Sequence, residues 1–319
     1  MCSKALKKDA KVFVAGHRGL VGSGICRKLQ SEGMTDVITK TRSELDLQSQ
    51  SEVFAFLASV KPDAVVVAAA KVGGIRANSE FPADFIAQNM NIEYNLIWGS
   101  HLADVQTLVF LGSSCVYPRE TSQPIPEEAL LTGKPEPTNA PYAVAKIAGI
   151  YLCDAISQQH GRKYFTAMPP NVYGPFDNFD LRTSHVLPAL MRKFHEAKLD
   201  GQRPVEVWGT GTPRREFLHT DDVADAILFL LGHEESHKLV NVGSSSAITI
   251  RDLAHLIQSE VGHTGELVWN SSMPDGFPDK TMDVKLLTSM GWKHRISLEE
   301  GIRTTYAWYK ESLAGSALT

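Results

Sequence analysis

Glycines at 16, 19 and 22 stand between the apolar run Lys11-Val-Phe-Val-Ala15 and a helical stretch reaching Gln30, and they constrain the fold more than any other feature. A strand that turns on glycine into a helix brings bare backbone to a ligand. The helix N-terminus there offers free N–H groups and a positive dipole end. Gly16, Gly19 and Gly22, with the first-turn residues Leu20 and Val21, therefore read as a pyrophosphate cradle; the competing reading is a plain tight turn. Asp36 to Lys40 reads as a second strand and Pro62 to Ala70 as a third. The unbroken apolar run in the third suits a strand buried on both faces of a parallel sheet. Its small end, with Ala69, leaves room for a cofactor against the backbone. A NAD site would place an acidic residue after the second strand, to bind the ribose hydroxyl. Arg42 stands there instead, with Arg18 in the glycine turn, and two guanidiniums suit a 2′-phosphate. The expected cofactor is NADP(H). Glu44 to Leu47 is expected to open a helix through Leu57, with Asp46 either accepting from the adenine amino group or capping that helix.

A second constellation lies downstream. Leu108 to Leu111 is an apolar strand ending in Gly112-Ser113-Ser114-Cys115, and Tyr142-Ala-Val-Ala-Lys146 follows on a helical pattern. Residues four apart share a helix face, so Tyr142 and Lys146 point together. The ammonium is expected to lower the phenol from its ordinary pKa of about 10. Alternation along an extended segment would put Ser113 and Cys115 on one side and Ser114 on the other. Ser113, Tyr142 and Lys146 can then protonate a carbonyl oxygen while hydride arrives at its carbon, with Cys115 as a further acid/base group. A lone YxxxK pair also occurs on ordinary exposed helices. The serine at a strand end and the glycine turn upstream favour catalysis.

Composition narrows the partners. A net charge of −4 provides no basic excess for a nucleic-acid backbone, so an anionic ligand must be held by a local cluster. The longest apolar runs are too short to span a bilayer, and the first residues contain no apolar signal segment. Four cysteines scattered without metal-ligand spacing fit reduced thiols in a cytoplasm, with no metal expected. The stretches Phe85 to Leu102 and Ala143 to Ser157 read as long helices with core-facing stripes, and fold analogy suggests a homodimer through them. Lys71 to Ile75 reads as a flexible loop.

Alternation of strands and helices predicts an α/β fold, a Rossmann-type doubly wound parallel sheet with a smaller mixed α/β C-terminal substrate domain. The expected boundaries are 1–175 for cofactor binding, rejoined by about 214–245, and 176–319 for substrate. Past Pro175 the pattern gives a helix from Ser184-His185 to Ala197, strands at Val205 to Trp208 and near Arg214 to His219, helices from Val223, Ile250 and Ser297, and a Pro/Gly-rich loop from Trp269 to Lys280. In isolation His185 reads as capping or surface.

Gly16-His-Arg-Gly-Leu-Val-Gly22, Gly112-Ser-Ser-Cys-Val-Tyr-Pro118, Tyr142-Ala-Val-Ala-Lys146 and Pro170-Asn-Val-Tyr-Gly-Pro-Phe-Asp-Asn178 together resemble the extended short-chain dehydrogenases/reductases. Ser184-His-Val-Leu-Pro, Val207-Trp-Gly-Thr-Gly-Thr-Pro-Arg-Arg-Glu-Phe217 and Pro274-Asp-Gly276 extend the likeness over nearly the whole chain. Within that family the pattern is similar to the branch acting on GDP-4-keto-6-deoxy-D-mannose with NADPH. The resemblance implies epimerisation at C3 and C5 and reduction at C4 in one site. It implies Cys115 as base, His185 as acid, Tyr142 as proton donor to the C4 oxygen, and Ser113 with Ser114 polarising that oxygen. Lys146, Asn171 and His185 would also contact the cofactor. Lys193, Trp208, Arg215 and Lys280 would line the GDP-sugar pocket, with Arg215 on a phosphate. Two departures stand out: Pro170 in place of a threonine, and Asp279 where a basic residue is usual. Sugar-nucleotide dehydratases carry Thr-Asp-Glu where this chain has Ser113-Ser114-Cys115, and a UDP-hexose 4-epimerase would prefer an acidic residue near 42. Reductases of related GDP-4-keto sugars, dideoxy or heptose, would use the same residues. A non-catalytic nucleotide sensor would be expected to lose Tyr142 or Lys146.

Overall fold

The computed structural model describes residues 6–233, 238–273, 275 and 278–316, excepting the side chains of residues 75, 76, 315 and 316. In chain order the elements are β1 (Val12–Ala15), α1 (Leu20–Ser31), β2 (Val37–Ile38), α2 (Gln50–Val60), β3 (Ala64–Val67), α3 (Ile75–Glu80), α4 (Pro82–Leu102) and β4 (Thr107–Leu111). Next come α5 (Ala140–His160), β5 (Lys163–Met168), β6 (Asn171–Tyr173), α6 (Val186–Leu199), β7 (Val205–Trp208), β8 (Arg214–His219), α7 (Thr220–Gly232) and β9 (Leu239–Asn241). The last are β10 (Ala247–Thr249), α8 (Ile250–Val261), β11 (Leu267–Asn270), β12 (Asp279–Lys280), α9 (Lys285–Ser289) and α10 (Leu298–Ser316).

Six parallel strands form the main sheet in the order β2-β1-β3-β4-β5-β9. Side chains alternate along each strand, so apolar runs give the sheet two greasy faces. Val12 and Val14 join α1 and α7 residues such as Ile25 and Ile227 in one core. Phe13 and Ala15 join Leu57, Leu96 and Ile150 of α2, α4 and α5 in the other. The sheet is doubly wound, as the alternating pattern predicts. β1 pairs with β2 on one side and β3 on the other, so the chain reverses direction of travel at β1/β3. In open α/β sheets ligands bind at the carboxyl ends of such a switch point.

The other strands gather around β8, which pairs with β10 antiparallel and with β12 and β6 in parallel. β7 and β11 form a separate parallel pair. A third core of Leu190, Phe194, Val205, Ile257 and Ile302 lies among these elements.

Two expectations need correction. α2 starts at Gln50, and residues 44–49 are turns instead of helix. Asp46 holds them: its Oδ1 accepts from Gln48 N at 3.1 Å and its carbonyl from Ser49 N at 2.9 Å. A short carboxylate bonding its own backbone competes with the helix, and Asp46 caps a turn. The stretch Trp269 to Lys280 is not a loop throughout, because β11 and β12 take its ends; Pro274 and Gly276 lie outside the described residues. Strands of two to four residues pair through backbone groups and leave no side-chain period to read. No described helix is long and apolar enough to cross a membrane.

Candidate active site

The glycine turn packs directly on the end of β3. Gly16 has φ +88°, and a Cβ there would stand 2.7 Å from Ala69 N. A Cβ on Gly22 would strike the Gly16 carbonyl. Gly19 differs: its φ is −81°, and a Cβ would meet only Gly16 O at 3.4 Å. Internal packing leaves position 19 open, at the mouth of α1. The first turn of α1, with Leu20 and Val21, has no acidic side chain. Arg18 and Arg42 are exposed nearby. The neighbouring carboxylate, Glu44, is engaged by Thr41, whose N and Oγ1 donate to it at 2.8 and 2.7 Å. A helix mouth without acidic side chains and with two exposed guanidiniums fits a dinucleotide bearing an extra phosphate.

At the end of β4 the chain leaves the extended form sooner than expected. Ser113 is extended (φ −157°, ψ 139°) and caps a 3-10 turn, Ser114–Val116, its Oγ accepting from Cys115 N at 3.3 Å. A serine hydroxyl bonding two residues on offers the backbone this alternative to a ladder. The extended segment ends at Ser113, yet the expected split of sides is kept: Ser114 is buried, its N donating to Pro169 O at 3.3 Å, while Ser113 and Cys115 are both half-buried. Ser113 still meets Tyr142, hydrogen-bonding its phenol, and Cys115 lies close enough to act on that phenol electrostatically.

Lys146 departs from expectation more sharply. Its Nζ donates to Leu111 O at 2.9 Å, sits 4.5 Å from the Phe110 ring centroid, and pairs with Glu93 Oε1 at 3.0 Å. Both side chains of the pair are 2% exposed. The Tyr142 ring centroid is 5.9 Å from Nζ. Burial, with Cys115 and Glu93 as lesser contributors, pushes the Tyr142 phenol above its ordinary range instead of below it. Tyr142 is thus held protonated, ready to donate.

The cations of the C-terminal elements converge on the same thiol. Arg215 and Lys280 are register partners across β8 and β12. Both lie within electrostatic reach of Cys115, and burial lowers the pKa of each. Asp279 pairs with Arg214 at 3.6 Å, which accounts for an acidic residue there. Lys193 Nζ donates to Glu206 O at 3.0 Å and lies 5.9 Å from the ring centroid of Trp208, which is 54% exposed. His185 is the N-cap residue of α6, and burial lowers its pKa. The residue as a whole is exposed, and Tyr142, Arg215 and Lys280 are each half-buried. Asn171 Nδ2 donates to Glu216 O at 2.9 Å and so ties β6 to β8.

Three polar residues, Asn89, Glu93 and Glu216, went unread in the sequence. Phe85, Asn89 and Glu93 lie four apart on the inner face of α4. Phe85 meets the Tyr142 ring edge-on at 6.4 Å. Asn89 clasps Lys71, accepting from its N at 2.8 Å and donating to its O at 3.0 Å. Gly74 N donates to Thr183 O at 3.0 Å, so the loop expected to be flexible is pinned beside His185. Glu216 is fully buried, its carboxylate accepting from the backbone N of Ser244, Ser245 and Met282 at 2.5, 2.8 and 2.8 Å. The available signal was a pair of polar residues at helical spacing among apolar neighbours. No group of described residues has the make-up of a metal site.

Comparison with known proteins bears on the same residues. The profile of the NAD dependent epimerase/dehydratase family matches residues 12–243, which contain the glycine turn, the serine turn and the Tyr142/Lys146 pair. The chain belongs to this family. Among relatives of this epimerase/dehydratase chain, the probable GDP-L-fucose synthase 1 of Oryza sativa subsp. japonica is 56% identical over 96% of the chain and 94% of its own length. The GDP-L-fucose synthase of Escherichia coli (strain K12) is 51% identical over 95% and 97%. In structure, the GDP-mannoheptose C4 reductase MlghC from Campylobacter jejuni, with NADP bound, superposes with a TM-score of 0.87 at 37% identity, covering 96% of this chain and 99% of that one.

Proposed function

We propose that this family member converts GDP-4-keto-6-deoxy-D-mannose to GDP-L-fucose, epimerising C3 and C5 and reducing C4 with NADPH. The observation that carries the reading is that Cys115 lies within electrostatic reach of the Tyr142 phenol and of the register partners Arg215 and Lys280. Support also comes from relatives of that name at 51–56% identity across nearly the full length.

Gly16, Gly19, Leu20, Val21 and Gly22 would hold the pyrophosphate, Arg18 and Arg42 the 2′-phosphate, and Asp46, Ala69, Lys146, Asn171 and His185 the remainder. When bound, the reduced nicotinamide supplies hydride to C4. The protein does the rest. A ketone at C4 acidifies the protons on both neighbouring carbons, so Cys115 withdraws one as base and His185 returns one from the opposite face. Ser113, with Ser114 behind it, stabilises the enolate-like oxygen between those events. Tyr142 then gives its phenolic proton to the C4 oxygen, a task suited to a phenol kept neutral by burial. Arg215 binds a phosphate of GDP, with Lys280, Lys193 and Trp208 completing the nucleotide pocket.

A homodimer is part of the same reading. Met90, Tyr94, Val144 and Tyr151 are 43–50% exposed on the outer faces of α4 and α5, and a second copy packing helix on helix would cover them. The cytoplasm suits a nucleotide-sugar enzyme whose described cysteines are unpaired. The residue ranges 1–175 with 214–245, and 176–319, remain our division into cofactor and substrate domains.

The deciding experiment incubates the protein with NADPH and a panel of GDP-4-keto sugars, identifying products by NMR. Fucose as the main product from the deoxymannose precursor supports the assignment. Preference for a heptose would favour the second reading, a GDP-heptose reductase like MlghC, and no NADPH oxidation would favour a nucleotide sensor.

A further inference from the structure

We propose that Glu93 is a positioning residue for the reduction: its carboxylate, sealed beneath the active site, fixes the Lys146 ammonium and limits how much of that charge Tyr142 experiences. The inference rests on Tyr142 as proton donor to the C4 oxygen.

Glu93 lies on α4, one turn beyond Asn89, and is 2% exposed. A carboxylate at such a depth is costly. An apolar side chain would fill the space at least as well, because a buried ion pair is a weak source of stability. The surroundings are shaped for it all the same. Gly149, three residues after Lys146 on α5, has no Cβ where one would stand 2.7 Å from the Phe110 ring and 3.0 Å from Glu93 Oε2. Lys146 has three N–H donors. One meets Leu111 O at 2.9 Å, and Glu93 Oε1 lies 3.0 Å from the nitrogen, so the ammonium is fixed from the sheet side and from the helix side.

The electrostatic consequence follows from sign. Lys146 favours phenolate at Tyr142 and Glu93 opposes it, so the pair presents a muted field to the phenol. Cys115, on the 3-10 turn, lies within electrostatic reach of Tyr142 and also of Arg215 and Lys280. Cys153 lies further along α5 within electrostatic reach of Glu93 and Lys146, while the next residue, Asp154, pairs with Lys238 at 2.6 Å. Among these groups Glu93 is the one in ion-pair contact with Lys146. Removing its charge makes the phenol more acidic. That change costs protonated Tyr142 at high pH.

The test measures the pH profile of kcat/KM for NADPH oxidation with GDP-4-keto-6-deoxy-D-mannose in wild type, Glu93→Gln, Glu93→Asp and Tyr142→Phe. The basic limb of Glu93→Gln is expected at least about one pH unit below that of wild type, as befits loss of a charge within ion-pair distance. Glu93→Asp keeps the charge but withdraws it by one methylene, and its limb should fall between the two. If Glu93→Gln does not fold, the Glu93→Asp displacement decides. Wild-type limbs in every soluble Glu93 variant, even with a lowered melting temperature, would leave Glu93 a merely structural residue and overturn the proposal. A wild type that does not turn over, or a Tyr142→Phe variant that retains full rate, would instead overturn the reading on which it rests.

Discussion

Cys115 and Arg42 separate two questions that a single activity number would merge. Serine at 115 keeps the size but is a far weaker base, so Cys115→Ser should slow epimerisation by about 10²–10⁴-fold while hydride transfer to C4 continues. The accumulating product is then an unepimerised 6-deoxy sugar, visible by NMR; undiminished fucose would remove the thiol from the mechanism. Arg42→Ala should raise the KM for NADPH about tenfold or more and leave that for NADH nearly unchanged, because only the former presents a 2′-phosphate. Equal effects would place no phosphate contact there. Asp177 gives a stability test. Burial raises its carboxyl to about 7, while Asn178 N donating to Oδ1 at 2.7 Å opposes the rise. A raised acid holds its proton in the folded state and gives it up when unfolded. Its contribution therefore becomes a penalty as pH climbs from about 4, the ordinary aspartate value, to about 7. Asp177→Asn should gain in melting temperature relative to wild type across that window, and a constant difference in thermal melts would refute the sign.

At the level of elements, α4 works on both faces. Its inner face carries Phe85, Asn89 and Glu93 toward the chemistry, while Met90 and Tyr94 face outward beside Tyr151 of α5. If the proposed homodimer packs through this face, Tyr151→Glu should give a lower mass than wild type in sedimentation velocity, since a charge on an apolar helix face opposes burial; equal masses would remove this face from the proposal. Some of this was legible beforehand and some was not. The span of α8, Ile250–Val261, follows from its apolar spacing, and Thr249 caps it by accepting from Asp252 N at 3.0 Å. The strand Ala64–Val67 is unmistakable because both its faces are buried. Glu93 was invisible because a lone acid on a helix ordinarily faces water, and only the fold reveals Lys146 opposite it. The 3-10 turn after Ser113 depends on one hydroxyl choosing a local partner, which no periodicity encodes. The Tyr142 shift runs against expectation because burial of the phenol outweighs the nearby ammonium: spacing places Lys146 close, but shows neither that burial nor the pairing of Lys146 with Glu93.

For the molecule as a whole, the proposed nucleotide site lies at the switch point of the main sheet, and occupancy should be felt globally. At about one hundred times its Kd a ligand that binds only the folded state adds about 2.7 kcal/mol. NADPH should therefore raise the melting temperature by several degrees, and NADH at the same concentration by less. Equal shifts would argue against Arg18 and Arg42 as discriminators. The arrangement of β8 also bears on protein engineering. Three stretches far apart in sequence, 171–173, 247–249 and 279–280, all hydrogen-bond to this one strand. A chimera spliced at residue 175, exchanging everything downstream for that of a relative with another sugar preference, would oblige a native β6 to zip onto a foreign β8. Successful grafts will be those that transplant both edges together, and naive cut-and-join fusions should emerge misfolded before their specificity can be measured.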